Sequence, residues 1–433
     1  MRVVRVAGDG WPAAQRAVKR SIADVPASLV DTVRAIIADV RRRGDNALLE
    51  LGRRFDAPGL AQLEVGEPEW DEACAALPPG DREVMDRAAA SIERFHRNQV
   101  RTGWFQAEGG ALVGQMVTPL ERVGIYVPGG RAAYPSSVLM TAIPAAVAGV
   151  REIVVCTPAR QDGTLPPTVL YAARAAGVCR VFKIGGAQAV AAMAFGTQSV
   201  PAVDKVVGPG NLYVNLAKKE LWGLVDMDML AGPSEVCIVA DESARPAFVA
   251  ADLLTQVEHD PDCAAFLFTP SESLLKEALV QMELQMEGLP RREILRQAME
   301  ANGVAVVTDT LEEAVELANL CAPEHLALMV RDPLHLLGFI RNAGAVLLGD
   351  YSPQTLGDYF AGPSHTLPTG GTARFASPLN VDTFVKKTSV IAYSAQALAG
   401  CAENLTHFAR LEGFEAHARA VEHRQGGAEP RDI

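Results

Sequence analysis

From about Glu121 the chain repeats one pattern of apolar and polar positions. A run of four or five apolar residues leads into a small-residue turn, and then into apolar positions three and four apart. The first kind of run suits a strand buried on both faces, the second a helix packed on one side. Strands are predicted at Val123–Val127, Glu152–Cys156, Arg180–Ile184 and Lys205–Val207. The helices between them end near Val147, Ala176, Phe195 and Trp222. A second series starts at Glu235–Ala240 and continues through Ala264–Phe268, Val304–Val307, Leu326–Val330 and Ala345–Leu348, with a helix over Pro246–His259. Strands alternating with helices predict an α/β fold with two similar open, parallel, doubly wound sheets facing each other across a cleft.

The flanks read differently. Residues 20 to 55 and 80 to 100 have helical spacing, with Gly44 a break in the first stretch. They read as packing helices, and His96 as a surface residue. From about Phe384 the chain reads as mostly helical, with a polar tail. At 433 residues it exceeds what one core usually holds, so two larger domains with smaller appendages are expected.

Composition narrows the function. The chain is 49% hydrophobic and 21% charged, as in a soluble globular protein. Its net charge of -12, with no basic cluster, excludes a nucleic-acid footprint. The first ten residues have no signal-peptide core, and the apolar run Val138–Val150 is interrupted by Pro144 and too short to span a bilayer. No membrane association is expected, and the cytoplasm is the expected compartment. Seven cysteines, scattered and without a Cys-x-x-Cys pair, argue against a disulfide framework or a thiolate zinc site. Cys321 reads as a packing residue.

Candidate chemistry concentrates at Asn319-Leu-Cys-Ala-Pro-Glu-His-Leu326. A helical run over Leu311–Cys321 is stopped by Pro323, and a strand follows. Glu324 and His325 therefore sit side by side at a helix-to-strand corner. A carboxylate can activate water, and an imidazole can move a proton near neutral pH. Further donors are Gln256 and His259, three apart on one helix, then Asp358 and His365 in a glycine-flanked loop, and Glu412 and His417, five apart. Two histidines, an aspartate and an amide oxygen would suit zinc, but spacing alone cannot join groups so far apart. Three strand ends carry glycine before a helix, at Gly129, Gly185 and Gly208. Such turns suit a phosphate and also occur without a ligand.

Taken together, these stretches resemble the histidinol dehydrogenase family along almost the whole chain. The resemblance rests on Glu121–Gly130, Gly185–Ala189, Gly208–Asn211, Asp228–Glu235, Gln256-x-x-His259, Ala322–Leu326, Leu356–Pro363 and Glu412-x-x-x-x-His417, in that order. It implies a homodimeric, zinc-dependent enzyme that oxidises L-histidinol to L-histidine with two molecules of NAD. It implies two Rossmann-like sheets without the Gly-x-Gly-x-x-Gly fingerprint. The implied domains are an appendage over 1–20, an α/β domain over 21–122 and 234–378, an inserted NAD-binding domain over 123–233, and a helical segment over 379–433 that completes the partner's active site.

The residue roles carried over are these. Glu324 and His325 handle protons. Tyr126, Gln188 and Asn211 contact NAD. Gln256, His259, Asp358 and His417 hold one zinc ion per subunit. Ser234, His325, Asp358, Glu412 and His417 contact substrate, and Gln256 and His259 reach it as well. The family usually has Asn and Val where this chain has Ser364 and Thr366, and His365 is expected behind the ligands. Three alternatives stay open: a related zinc- and NAD-dependent dehydrogenase of another small alcohol, such as a sulfonated diol; a metal hydrolase using Glu324; and a non-enzymatic acidic binding protein.

Overall fold

A computed structural model describes residues 1–19, 26–129 and 133–425. The chain divides into two compact units: Met1–Gln99 with Leu120–Phe384, and Val100–Pro119 with the chain from Val385 onward.

The larger unit contains two parallel sheets. One has the strand order Arg180–Lys183, Glu152–Thr157, Arg122–Tyr126, Lys205–Val207, Asp226–Met227. The other runs Arg2–Arg5, Gly303–Val307, Ala264–Thr269, Glu235–Ala240, His325–Met329, Ala345–Leu348. Apart from the N-terminal edge strand, both sheets read third, second, first, fourth, fifth in chain order. Each therefore has one switch point, between its first and fourth strands, where the connections leave to opposite sides. The two similar sheets predicted from the apolar runs are present, within a residue or two at each strand end.

Alternate residues of each strand enter different cores. In the first sheet Tyr126, Val154, Cys156 and Phe182 pack on one side, and Val123, Ile125, Val155 and Val181 on the other. In the second, Val236, Ile238, Leu267 and Ala327 oppose Cys237, Val239, Phe266 and Leu326. Burial on both faces is why these strands are continuous apolar runs. Cys321 belongs to this packing, as expected.

Three readings need correction or completion. His96 is fully buried, not at the surface. It follows Ala88 and Ile92 at four-residue spacing on the inner face of the Pro79–Arg97 helix, and its Nδ1 meets Gln99 Oε1 at 2.7 Å. The helix predicted from residue 20 is described as Ala27–Arg43 and Asp45–Phe55, divided at Gly44, and residues 20–25 lie outside the described residues. The segment after Phe384 opens with a nine-residue strand, Val385–Tyr393, before any helix.

That strand pairs antiparallel with Ala111–Pro119, which pairs with Trp104–Glu108. These three strands and two helices, Ala395–Leu411 and Glu415–Gln425, form the smaller unit. The sequence hid the last strand because Lys386, Lys387, Thr388 and Ser389 are exposed and break the apolar run. The helices are joined at Gly413, whose φ of +81° favours glycine. Among the described residues, no helix is long and apolar enough to cross a membrane.

Candidate active site

The Leu311–Cys321 helix is capped at its start by Thr310, whose hydroxyl accepts the Glu313 N–H at 3.2 Å. It ends at Ala322, with φ +47°, the single non-glycine residue of positive φ among the described residues. An alanine held left-handed costs on the order of 1 kcal/mol, and such strain gathers at functional corners. Pro323 follows, then Glu324, and His325 opens the next strand. The acid and the imidazole therefore lie at the switch point of the second sheet, on the N-terminal edge of its strands.

Both side chains are buried. Glu324 Oε2 accepts the Glu235 N–H at 2.8 Å and faces Gln256 Nε2 at 3.4 Å. His325 Nδ1 is 3.9 Å from Glu324 Oε2, and His325 Nε2 is 3.5 Å from Asp358 Oδ1. Burial pushes the Glu324 carboxyl up to about 7, partly opposed by His325 and the Glu235 amide. For His325, burial is the largest influence and pulls downward, but Glu324 and Asp358 together outweigh it and leave the imidazole raised. Both groups are thus raised above their ordinary values, which brings the carboxyl into the range where it can exchange protons at working pH.

The surroundings hold this centre in place. His365 Nδ1 lies 3.0 Å from the Asp358 carbonyl, and its Nε2 is 3.3 Å from Ser137 Oγ, on the Pro135–Ala148 helix beside the first sheet. Burial lowers the His365 pKa. A neutral ring donating from Nδ1 to the carbonyl and accepting from Ser137 fits both contacts. His365 thus supports the Asp358 main chain. Gln256 Oε1 and His325 Nδ1 are buried and accept or donate no hydrogen bond. Two orphaned polar atoms in one buried site call for an outside partner.

Two cavities share a wall residue, and Asp358 lines the smaller. One of about 530 Å3 is lined by His259, Asp358, Glu258, Thr255 and Arg291 together with Tyr134 and Met140. The other, about 960 Å3, is lined by Tyr126, Gln188, Asn211, Gly129, Gly185 and Gly186, at the C-terminal ends of the first sheet's strands. Ala133 lines both. The neighbouring Gly130 lies outside the described residues.

The larger cavity is firmly built. Tyr126 Oη accepts the Gly186 N–H at 3.1 Å, and burial raises its phenol to about 12. Asn211 caps the Leu212–Leu221 helix by accepting the Val214 N–H at 3.2 Å. A β-carbon at Gly208 would lie 2.2 Å from the Tyr126 carbonyl oxygen, so the turn admits only glycine. Behind it, Lys218 and Asp228 form a fully buried ion pair. Lys218 also donates to the Gly208 carbonyl at 3.1 Å, and Asp228 accepts the Gly208 N–H at 2.8 Å. Both polar groups of that glycine are thereby fixed.

The expected residues fall into groups. Gln256, Glu324, His325 and Asp358 form a chain of successive contacts, and Tyr126, Gln188 and Asn211 share one cavity. His259 is exposed and shares the smaller cavity with Asp358. Ser234 directly precedes Glu235 and is half-buried. Glu412 and His417 belong to the smaller unit, where both are exposed and His417 stacks at 5.0 Å on Phe414. Among the described residues, no three His, Cys, Asp or Glu side chains converge as a metal set. Sequence reasoning missed Lys218, although its place in the stripe Val214, Lys218, Leu221 was a usable signal. It also missed Asp56, which gives none.

Fold and site define the class: a two-sheet α/β enzyme with a buried carboxylate–imidazole centre next to a cavity at a strand switch point. A family model described as histidinol dehydrogenase matches residues 19–425. The histidinol dehydrogenase of Geobacillus kaustophilus (strain HTA426) is 54% identical over 388 residues, covering 89% of this chain and 92% of the relative. That of Heliobacterium mobile is 51% identical over 406 residues, 93% of this chain and 95% of the relative. The crystal structure of histidinol dehydrogenase from Elizabethkingia anophelis superposes with a TM-score of 0.93 at 36% identity, covering 98% of each chain. The chain belongs to the histidinol dehydrogenase family and is an oxidoreductase of histidine biosynthesis.

Proposed function

We infer that this enzyme oxidises L-histidinol to L-histidine through a bound aldehyde, using NAD and zinc. The observation that carries the reading is the buried Glu324–His325–Asp358 array, whose Asp358 lines a cavity that shares Ala133 with a second, dinucleotide-sized one. The family relatives named for histidinol supply the substrate.

The residues fit both absent groups. The larger cavity offers glycine-turn N–H groups and a helix N-terminus, suited to a pyrophosphate, with Tyr126, Gln188 and Asn211 on its walls. When bound there, NAD supplies the hydride acceptor. The orphaned Gln256 oxygen fits a cation, with His259 and Asp358 as further donors and His417 as the fourth. Zinc so held would orient histidinol by its amine and imidazole nitrogens.

The chain's own residues divide the remaining work. His325 takes the hydroxyl proton as the first hydride departs, leaving the aldehyde. Glu324 removes a proton from a water that adds to the aldehyde carbon. His325 takes the proton of the resulting hydrate as the second hydride leaves, giving the carboxylate. One water enters, two hydrides depart, and three protons are released. Ser234 and Glu412 complete the substrate shell, Glu412 facing the substrate's positive charge. The buried pair keeps the reactive aldehyde from solvent.

In this reading residues 123–233 are the NAD-binding domain, inserted into an α/β domain of 21–122 and 234–378, except that Arg2–Arg5 of the 1–20 appendage joins that domain's sheet and Val100–Pro119 pairs with the C-terminal segment. Residues 379–433 complete the partner's site in a homodimer. Exposed Phe408, Leu411 and Phe414 beside Glu412 support a docked partner, since apolar groups so clustered mark interaction surfaces. The cytoplasm, where its NAD and zinc are available, is the proposed compartment. Incubating the pure protein with histidinol, NAD and zinc tests the activity: two NADH per histidine formed are expected. NADH from a sulfonated diol but not from histidinol would favour the other dehydrogenase.

A further inference from the structure

The adenosine half of a dinucleotide ordinarily lies over the first three strands of a doubly wound sheet. Its ribose hydroxyls there meet an acidic side chain near the end of the second strand. In this chain that strand, Glu152–Thr157, runs out into Pro158, Ala159 and Arg160, and offers no acid at its end. An acid reaches the same place from elsewhere. Asp56, directly after the Asp45–Phe55 helix, lines the larger cavity together with Pro158 and Gly185. A β-carbon built on Gly185 would lie 2.6 Å from Pro158 Cβ and 3.2 Å from Asp56 Oδ2, so the three residues touch at the ends of the second and third strands.

The carboxylate is incompletely used by the protein. Asp56 Oδ2 is buried and has no hydrogen-bond partner. Burial pushes the group up to about 6, with the Gly185 amide partly opposing. The Gly185 amide compensates the carboxylate only in part for its burial, and a ligand hydroxyl would satisfy the acceptor capacity left over. Arg54 and Arg160 line the same cavity and suit phosphates, so the local field alone does not exclude a phosphorylated ribose. A 2′-phosphate set against the Asp56 oxygen would face a like charge, whereas a hydroxyl would donate to it.

We propose that Asp56 accepts a hydrogen bond from the 2′-hydroxyl of the adenosine ribose and so selects NAD over its 2′-phosphorylated form. The proposal rests on the reading of this cavity as the dinucleotide site. It makes Asp56 a specificity-determining residue supplied by the N-terminal helices instead of by the nucleotide sheet.

Equilibrium binding tests it, by calorimetry on the full-length protein with NAD, NADP, AMP and 2′-deoxy-AMP as probes. The wild type should bind NAD more tightly than NADP, and AMP about ten-fold more tightly than 2′-deoxy-AMP, the size of one hydrogen bond to a charged group. In Asp56→Ala both preferences should collapse, with NAD weakened about ten-fold or more and NADP weakened less. Asp56→Asn, which keeps shape and an acceptor, should lose the discrimination against NADP while keeping part of the AMP preference. Weaker binding of all four probes with both ratios unchanged would mean that Asp56 only supports the cavity wall, and would overturn the proposal. If wild type binds NAD and turns over but both variants keep its ratios, the proposal alone falls. If wild type binds no dinucleotide, the reading of the cavity falls with it.

Discussion

A β-carbon on Gly344 would lie 2.5 Å from the main-chain oxygen of Glu324. Gly344 also donates its N–H to the Pro323 carbonyl at 2.9 Å, and Ala345 donates to that of Glu324 at 2.8 Å. The acid–base corner is thus braced from the adjoining strand by a residue with no side chain.

Gly344→Ala should therefore move the corner without removing any reactive group. Overpacking of this kind costs about 1–3 kcal/mol of stability. A displacement of reacting groups by a fraction of an ångström to an ångström should lower kcat on the order of ten- to hundred-fold. Thermal unfolding and steady-state kinetics check the two effects, and an unchanged kcat would show that the contact is absorbed elsewhere.

Glu324→Gln should separate the two oxidations. The amide can still accept the Glu235 N–H but cannot take a proton from water. Conversion of added aldehyde to histidine should fall by about 10²-fold or more, the usual range for loss of a general base. The first hydride transfer, followed in a single turnover, should fall much less. Equal losses in both steps would move the water-activating role away from Glu324.

Asp252 offers a pH test of stability. It is buried on the Pro246–Val257 helix, its Oδ2 has no partner, and burial raises its carboxyl to about 6. A folded-state pKa above the unfolded value of about 3.9 means that ionisation opposes folding. The penalty is absent well below pH 4, grows through the interval, and is complete above about pH 6. Asp252→Asn should stabilise the protein by on the order of 2 kcal/mol at pH 8 and about half that at pH 5. Denaturant unfolding at the two pH values measures it, and a gain independent of pH would refute ionisation as the cause.

The proposed sharing of sites between subunits can be tested by complementation. His259→Ala and His417→Ala should each be inactive alone. After subunit exchange about half the dimers are mixed, and in each of these one site carries both lesions and the other neither. Roughly a quarter of the parental activity should return. No recovery after confirmed exchange would place all the ligands in one chain.

The sheets were legible because their strands are buried on both faces, which writes Val123–Val127 and Glu235–Ala240 into the sequence as unbroken apolar runs. The same rule explains what was not. Trp104–Glu108 is wholly exposed and Val385–Tyr393 largely so, and neither leaves a run to read. The Pro-Glu-His corner was legible because Pro323 fixes where helix gives way to strand. Asp56 was not, because its meaning depends on a cavity wall completed by Pro158 and Gly185, more than a hundred positions away.

One feature of the two sheets bears on how the enzyme can change. In the first sheet the cavity opens where the strands finish, whereas in the second Glu324 and His325 stand where a strand begins. The loops that leave the far ends of those second-sheet strands, after Ala240 and Met329, are about 15 Å of extended chain from His325. In most proteins of this architecture that rim carries the chemistry and is closed to drift. Here that rim lies a strand's length from the acid–base pair, so a change in its loops need not move Glu324 or His325.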